Sequence, residues 1–212
     1  MDLLEIETEL KKRLKYPYVW GRRQNNYYNG LTNFIYKTFY FDELLKEINI
    51  RFKGNEEYEN FLNYALNRWF NFWSAQAIET IFCSLPNVKP ALNSRNRLID
   101  FAIQGIPFDH KTSVFPNAYP GTLIEAQNNP ADLIEWLYDN QSQEQRKHLK
   151  NRLFIVLHSY DQQHWKLKAE ILWLKNAIGN YVNSFDVNKL LKFSFEADST
   201  TLSDIIWLVK GR

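Results

Sequence analysis

The chain has 212 residues, a formal net charge of +2 and a hydrophobic content of 45%. This composition predicts one well-buried globular domain and excludes a largely disordered chain. Because the charge is nearly neutral, a nucleic-acid partner would have to meet positive charge concentrated on one face. The single cysteine, Cys83, excludes an internal disulfide and a cysteine-based zinc site, which is typical of a reducing cytosol.

The chain shows no pattern for a membrane or for secretion. No segment approaches the ~20 consecutive apolar residues of a membrane span. The first residues carry acids where a signal peptide carries lysines. We therefore expect a cytoplasmic protein with no membrane partner.

The N-terminal third is predicted to be helical. Apolar residues at helical spacing predict an amphipathic helix over residues 2–15, followed by a polar loop up to Gly30 and a second helix over residues 31–49. The longest helical pattern covers residues 56–82 and carries a wide apolar stripe. Glu79 falls on this stripe, and an acid on a buried stripe needs a partner.

A β-hairpin is predicted next. Residues 98–104 and 108–114 have the β-branched and aromatic character of strands, and Gly105 supplies the turn. Asp109 and Lys111 share a face because they are two residues apart. A two-residue turn at Gln104-Gly105 or at Gly105-Ile106 would place Asp100 on that same face.

The remaining elements predict a sheet with helices around it. A helix is expected over residues 130–150, a strand buried on both faces over residues 153–157 and a last helix over residues 165–182. Two edge strands are expected near residues 191–196 and 205–209. This order predicts an α/β fold with a central mixed β-sheet flanked by helices on both faces.

Asp100, Asp109 and Lys111 would form a small patch of two carboxylates and one ammonium group. Mg²⁺ prefers oxygen ligands and commonly keeps several waters, so two carboxylates and a strand carbonyl suffice to bind it. A divalent cation bound there polarises a phosphate group and makes water more acidic. The alternative is a solvated cross-strand cluster of salt bridges on an exposed sheet face.

The whole pattern resembles the PD-(D/E)xK nuclease superfamily, to which many restriction endonucleases belong. The resemblance rests on Asp100, on Asp109-His110-Lys111 and on Glu79 in the preceding helix, and it covers roughly residues 60–160. The proline that gives the motif its name is absent, because Ile99 precedes Asp100. A second match, Glu9-Leu10-Lys11, lies in a charged helix and receives no function.

The resemblance implies a restriction endonuclease-like core over residues 56–212, with a C-terminal extension, and an N-terminal helical, DNA-contacting extension over residues 1–55. It implies that Asp100, Asp109 and the main-chain carbonyl of His110 bind Mg²⁺, for which Mn²⁺ can substitute. Lys111 would orient or deprotonate the attacking water and stabilise the transition state. Glu79 would assist, or it would be a snorkelling or singly paired glutamate.

These expectations predict a metal-dependent endodeoxyribonuclease, a type II restriction endonuclease acting on duplex DNA as a homodimer. The alternative is a catalytically inactive protein of the same fold that binds nucleic acid or a protein partner. Arginine and amide side chains read base edges or contact phosphates, so the candidate DNA contacts are the following: Arg22, Arg23, Asn25, Arg95 and Arg97. A polar surface loop is the alternative for the first three.

Overall fold

The computed structural model describes residues 2–92, 98–140 and 148–211. The predicted class is confirmed: the protein is mixed α/β, with a six-stranded mixed sheet flanked by helices. The chain forms two compact units, one of Met1–Ile78 with Lys168–Leu172 and one of Glu79–Leu167 with Trp173–Arg212. The division between the units falls inside a long helix. The boundary expected at residue 55 stays a prediction.

The first unit is helical. Its helices are α1 (Leu3–Arg13), α2 (Asn26–Leu31), α3 (Phe41–Phe52) and the part of α4 (Tyr58–Cys83) that ends at Ile78. α1 and α4 were predicted from their periodicity. The single helix expected over residues 31–49 is wrong, because a 3₁₀ helix at Asn33–Tyr36 and the extended backbone of Tyr40 precede α3.

Two buried arginines donate hydrogen bonds to the segment of residues 16–36, which connects α1 to α3 in the first unit. Arg13 donates hydrogen bonds to the carbonyls of Tyr16 and Pro17 and to the Asn67 side chain. Arg68 donates to the carbonyl of Asn29 and to three side chains, those of Thr32, Asn33 and Tyr36. The segment therefore takes its shape from side-chain donors where regular backbone pairing is lacking.

The second unit contains the sheet, whose strands lie in the order β1-β2-β3-β4-β6-β5. The strands are β1 (Val88–Pro90), β2 (Phe101–Ile103), β3 (Ile106–Val114), β4 (Arg152–Ser159), β5 (Leu191–Glu196) and β6 (Ser199–Lys210). β2 pairs antiparallel with β1 and with β3. β4 pairs parallel with β3 and with β6, and β5 pairs antiparallel with β6. β1 was not predicted, and β6 is an interior strand rather than the expected edge strand.

The predicted hairpin is confirmed as β2 and β3. Its turn is Gln104-Gly105, where both residues have positive φ, 49° and 86°. Two consecutive residues with positive φ are what a type I′ hairpin turn requires, and glycine adopts such a conformation without a steric penalty. The strand register pairs Phe101 with Phe108.

Helices cover both faces of the sheet. α5 (Leu123–Asn128) and α6 (Pro130–Asp139) follow β3, and Tyr138 and Leu133 of α6 pack against Phe154 of β4. α7 (Ile171–Asn183) follows a 3₁₀ helix at His164–Ala169 where one helix over residues 165–182 was expected.

The helix predicted over residues 130–150 is shorter in the structure. α6 ends at Asp139, residues 141–147 lie outside the described residues, and His148 to Lys150 are not helical. In the described ranges, no helix combines the length and the apolar character that a membrane span needs.

Candidate functional site

The candidate site lies at the point of β3 where pairing with β2 ends on one side and pairing with β4 begins on the other. Antiparallel pairing with β2 ends at Phe108, which pairs with Phe101, and parallel pairing with β4 begins at Asp109, which pairs with Arg152. Asp100 lies in a bend directly before β2. We call this place the strand fork, and it contains Asp100, Asp109 and Arg152.

The Asp100 carboxylate takes the place of a neighbouring strand at the fork. Its Oδ2 accepts hydrogen bonds from the backbone N–H of His110 at 2.9 Å and from the His110 ring Nδ1 at 2.6 Å. A β-strand donor that would otherwise lack a partner strand is thereby satisfied. The carboxylate is therefore fixed beside β3 through one of its two oxygens.

The Asp109 carboxylate is held by a different set of partners. Its Oδ2 accepts a hydrogen bond from Nε of Arg152 at 2.5 Å, and Nε2 of His148 lies 3.4 Å from the same oxygen. The side chains of Arg152 and His148 are only 5% and 8% exposed, so this ion pair is shielded from water. A carboxylate in such a place needs a charged partner, and Arg152 supplies it.

The pKa values of Asp109 and His110 show the effect of these contacts. Burial acts to raise the pKa of Asp109, but His148 and the charge of Arg152 outweigh it and hold that pKa below its usual value. Burial acts to lower the pKa of His110, but the hydrogen bond and charge of Asp100 outweigh it and raise that pKa. Asp109 is thus an ionised carboxylate at neutral pH.

The two faces of the sheet separate the motif residues. Along β3, Asp109 and Lys111 point to the face that α6 covers, because Arg152 and Phe154, their partners in β4, contact Tyr138 of α6. We call this the α6 face. The shared face of Asp109 and Lys111 agrees with the prediction, and Lys111 is exposed.

The His110 ring points to the other face, which we call the α7 face. It lies 6.2 Å from the ring of Phe82 and 6.1 Å from that of Phe101, measured between ring centroids. The Asp100 carboxylate contacts this ring, whereas the Asp109 carboxylate contacts Arg152 on the α6 face. The structure therefore bonds the two carboxylates to partners on opposite faces of β3, so the expectation that Asp100 shares the face of Asp109 and Lys111 is not met by its contacts. The expected approach of the two carboxylates to within one metal's span stays a prediction.

Glu79 lies near the end of α4. Its negative charge acts to raise the pKa of both His110 and Cys83. Burial, together with the charges of Glu79 and Asp100, raises the pKa of Cys83 to about 11. The Cys83 thiol is therefore protonated at neutral pH, which excludes an activated cysteine nucleophile at this position.

The predicted DNA contacts occupy several different settings. Arg22 forms an ion pair with Glu57, and the Asn25 side chain accepts a hydrogen bond from the backbone N–H of Tyr28 as the N-cap of α2. Arg23 is exposed. Arg95 and Arg97 lie outside the described residues. Residues 26–30, expected to be loop, belong to α2, because Asn25 caps it.

Sequence reasoning missed the two partners of Asp109. Arg146, Lys147, Lys150 and Arg152 look like one charged helix end in the sequence, yet Arg152 is a buried residue that begins β4. Only its position next to an apolar strand could have indicated burial. His148 gave no signal, because its partner Asp109 is distant in the chain.

The side chains of Asp100 and Asp109 offer carboxylate oxygens, the type of ligand that a hard divalent cation prefers. Asp100 and Asp109 use only Oδ2 in the bonds above, and within the described ranges Oδ1 of each accepts no hydrogen bond. Over the same ranges, no group of three or more His, Cys, Asp or Glu side chains is arranged to hold a metal ion. Two carboxylates and a carbonyl, the set expected for Mg²⁺, would not form such a group.

Comparisons with models of protein families, with curated proteins and with solved structures find no match to this chain. The resemblance to the PD-(D/E)xK nucleases therefore rests on the motif residues and on the order of the elements around them.

Proposed function

We propose that the protein is a Mg²⁺-dependent endonuclease that hydrolyses phosphodiester bonds of duplex DNA, in the manner of a type II restriction endonuclease. The observation that carries the proposal is the strand fork. Asp100 and Asp109 lie where the pairing of β3 with β2 ends on one side and its pairing with β4 begins on the other. Each acid keeps an oxygen that accepts no hydrogen bond in the described part of the chain, and Lys111 follows on the α6 face.

The order of elements supports a restriction endonuclease-like core. The long helix α4 precedes three antiparallel strands, two helices follow, and β4 returns parallel to β3. Asp100 stands before the second of these strands, and Asp109 and Lys111 stand on the third. The order of helix, acid-bearing strands, helix and buried strand supports the proposal, while β1 was not part of the expected pattern.

The residues at and next to the strand fork have distinct roles in the proposed reaction. Oδ1 of Asp100, Oδ1 of Asp109 and the His110 carbonyl would hold Mg²⁺ (or Mn²⁺), which supplies polarisation of the scissile phosphate when bound. Lys111 is exposed, so its ammonium group can reach a phosphate oxygen and stabilise the charge that develops there. Two copies of the chain related by a twofold axis would cut both strands of a duplex.

The test is cleavage of a mixture of plasmid and phage DNAs by the purified protein with Mg²⁺ or Mn²⁺. We expect discrete fragments, no cleavage with EDTA, and loss of cleavage in Lys111→Ala and Asp109→Asn. Lys11→Ala is the matched control, because Lys11 ends the Glu-x-Lys match in α1 and pairs there with Glu7. It should cleave like the wild type.

Two results would contradict the proposal. One is the absence of cleavage of every DNA and RNA tested, together with no binding of Mn²⁺ in calorimetry. The other is cleavage that persists unchanged in Lys111→Ala. DNA binding without cleavage would instead favour the inactive, nucleic-acid-binding alternative, and light scattering of the purified protein tests the homodimer.

A further inference from the structure

Arg152 has the contacts of a residue that orients Asp109. It is the first residue of β4 and the direct register partner of Asp109. Its Nε donates to Oδ2 of Asp109 at 2.5 Å, and its Nη2 lies 2.6 Å from Nε2 of His148. Since a guanidinium group only donates, one side chain connects the acid to the histidine.

Aromatic rings hold the guanidinium group in place. Its central carbon lies 5.6 Å from the centre of the Tyr138 ring and 5.8 Å from that of Phe154. The Tyr138 hydroxyl in turn donates to the carbonyl of Lys150, close to Arg152 in the chain. Arg152 is therefore fixed by packing and by register before any ligand binds.

We infer that Arg152 is a positioning residue for the proposed metal site: it bonds Oδ2 of Asp109 so that Oδ1 is presented for the metal. This inference rests on the proposed function and assigns Arg152 a role within it. Direct contact with DNA is excluded by burial, because the Arg152 side chain is 5% exposed. Contact with the phosphate is left to the exposed Lys111.

Charge and orientation predict opposite effects of replacing Arg152. If Arg152 acted only as a positive charge beside a metal ligand, removing it would strengthen the binding of a cation. If it orients the carboxylate, removing it weakens cation binding, as loss of an outer partner of a metal ligand typically does, by about 10–100-fold. Arg152→Gln removes the positive charge, and Arg152→Lys keeps the charge but lacks the planar guanidinium group.

The experiment measures Mn²⁺ affinity by calorimetry and by the electron paramagnetic resonance signal of free Mn²⁺. The wild type, Asp109→Asn, Arg152→Gln, Arg152→Lys and the Lys11→Ala control are compared, with circular dichroism to check folding. We expect Asp109→Asn to abolish binding, both Arg152 variants to weaken it about tenfold or more, and the control to bind as the wild type does.

The outcomes separate the inference from the proposed function. Binding that Asp109→Asn abolishes, but that Arg152→Lys leaves intact or Arg152→Gln strengthens, would overturn the role of Arg152 while the metal site stands. Absence of Mn²⁺ binding in the wild type, or binding insensitive to Asp109→Asn, would overturn the proposed function itself. If Arg152→Gln does not fold, Arg152→Lys decides.

Discussion

The ion pair between Asp109 and Arg152 should be strongly coupled in the folded protein. We consider Asp109→Asn, Arg152→Met and the double variant. The two side chains are 15% and 5% exposed, so either single change takes from a buried charge the oppositely charged group that bonds it. Such a loss costs about 3–5 kcal/mol of unfolding free energy, whereas replacing both partners of a buried pair is often nearly neutral or stabilising.

A double-mutant cycle measures this coupling. Guanidinium denaturation followed by tryptophan fluorescence gives the unfolding free energy of the four proteins, and we expect the double variant to be more stable than either single variant. The matched control is the Glu47–Arg51 pair on α3, whose side chains are 37% and 47% exposed. An exposed pair four residues apart on a helix contributes only about 0.3–0.5 kcal/mol.

A coupling energy at Asp109 and Arg152 no larger than that of the control pair would refute the reasoning. It would mean that water or other groups compensate either charge after its partner is removed. A large coupling, together with a double variant that is stable but does not bind Mn²⁺, would show that the pair is kept at a cost to stability and for another purpose.

Three further predictions concern groups outside the proposed chemistry. Thr112→Val should raise the unfolding free energy by about 1 kcal/mol in denaturant melts, because the buried Thr112 hydroxyl has no hydrogen-bond partner in the described ranges. Burial raises the pKa of Asp204, so the folded state keeps the Asp204 proton at pH values above the unfolded pKa of about 3.9. The unfolding free energy therefore falls as the pH rises from the unfolded pKa through the folded pKa. Melts at several pH values should show the wild type losing stability relative to Asp204→Asn, and an unchanged difference would contradict this. Arg68→Met should lower the unfolding free energy by about 3 kcal/mol and speed amide hydrogen exchange in residues 29–36, because it removes four hydrogen bonds to that segment. Exchange protection equal to that of the wild type would count against this prediction.

The hairpin could be predicted from local signals. Alternation of apolar and polar residues specifies strands, and a glycine between two such runs specifies a tight turn. Of the two turns that the sequence left open, the structure has Gln104-Gly105, which pairs Phe101 with Phe108. That register is a consequence of the turn geometry, so it follows once the turn is known.

The partners of the acids could not be predicted, because they depend on contacts between distant parts of the chain. Arg152 is 43 residues from Asp109. In the sequence it closes a run of charges that favours an exposed helix end, and only the parallel pairing of β3 with β4 shows that it is buried. Asp100 was expected to be an ordinary strand residue, whereas it lies in a bend and bonds the backbone of His110.

The same limit applies to the order of strands. β6 has the short apolar pattern of an edge strand over residues 205–209, but the strand extends over Ser199–Lys210 and lies between β4 and β5. Its partner β4 was correctly predicted to be buried on both faces. β4 pairs with β3 on one side and with β6 on the other, and this pairing is a long-range contact that the local pattern of β6 does not specify.

The fork explains why two carboxylates can lie at this point of a sheet. A central strand normally has its backbone groups paired on both sides, which leaves no room for a side chain in the plane of the sheet. At Phe108 and Asp109 one neighbour of β3 ends and another begins, so the Asp100 carboxylate can bond the N–H of His110 and Arg152 can bond Asp109. Each carboxylate is held through Oδ2, and for a monodentate ligand Oδ1 is sufficient. In the proposed site, the protein would fix one oxygen of each acid and leave the other to the cation.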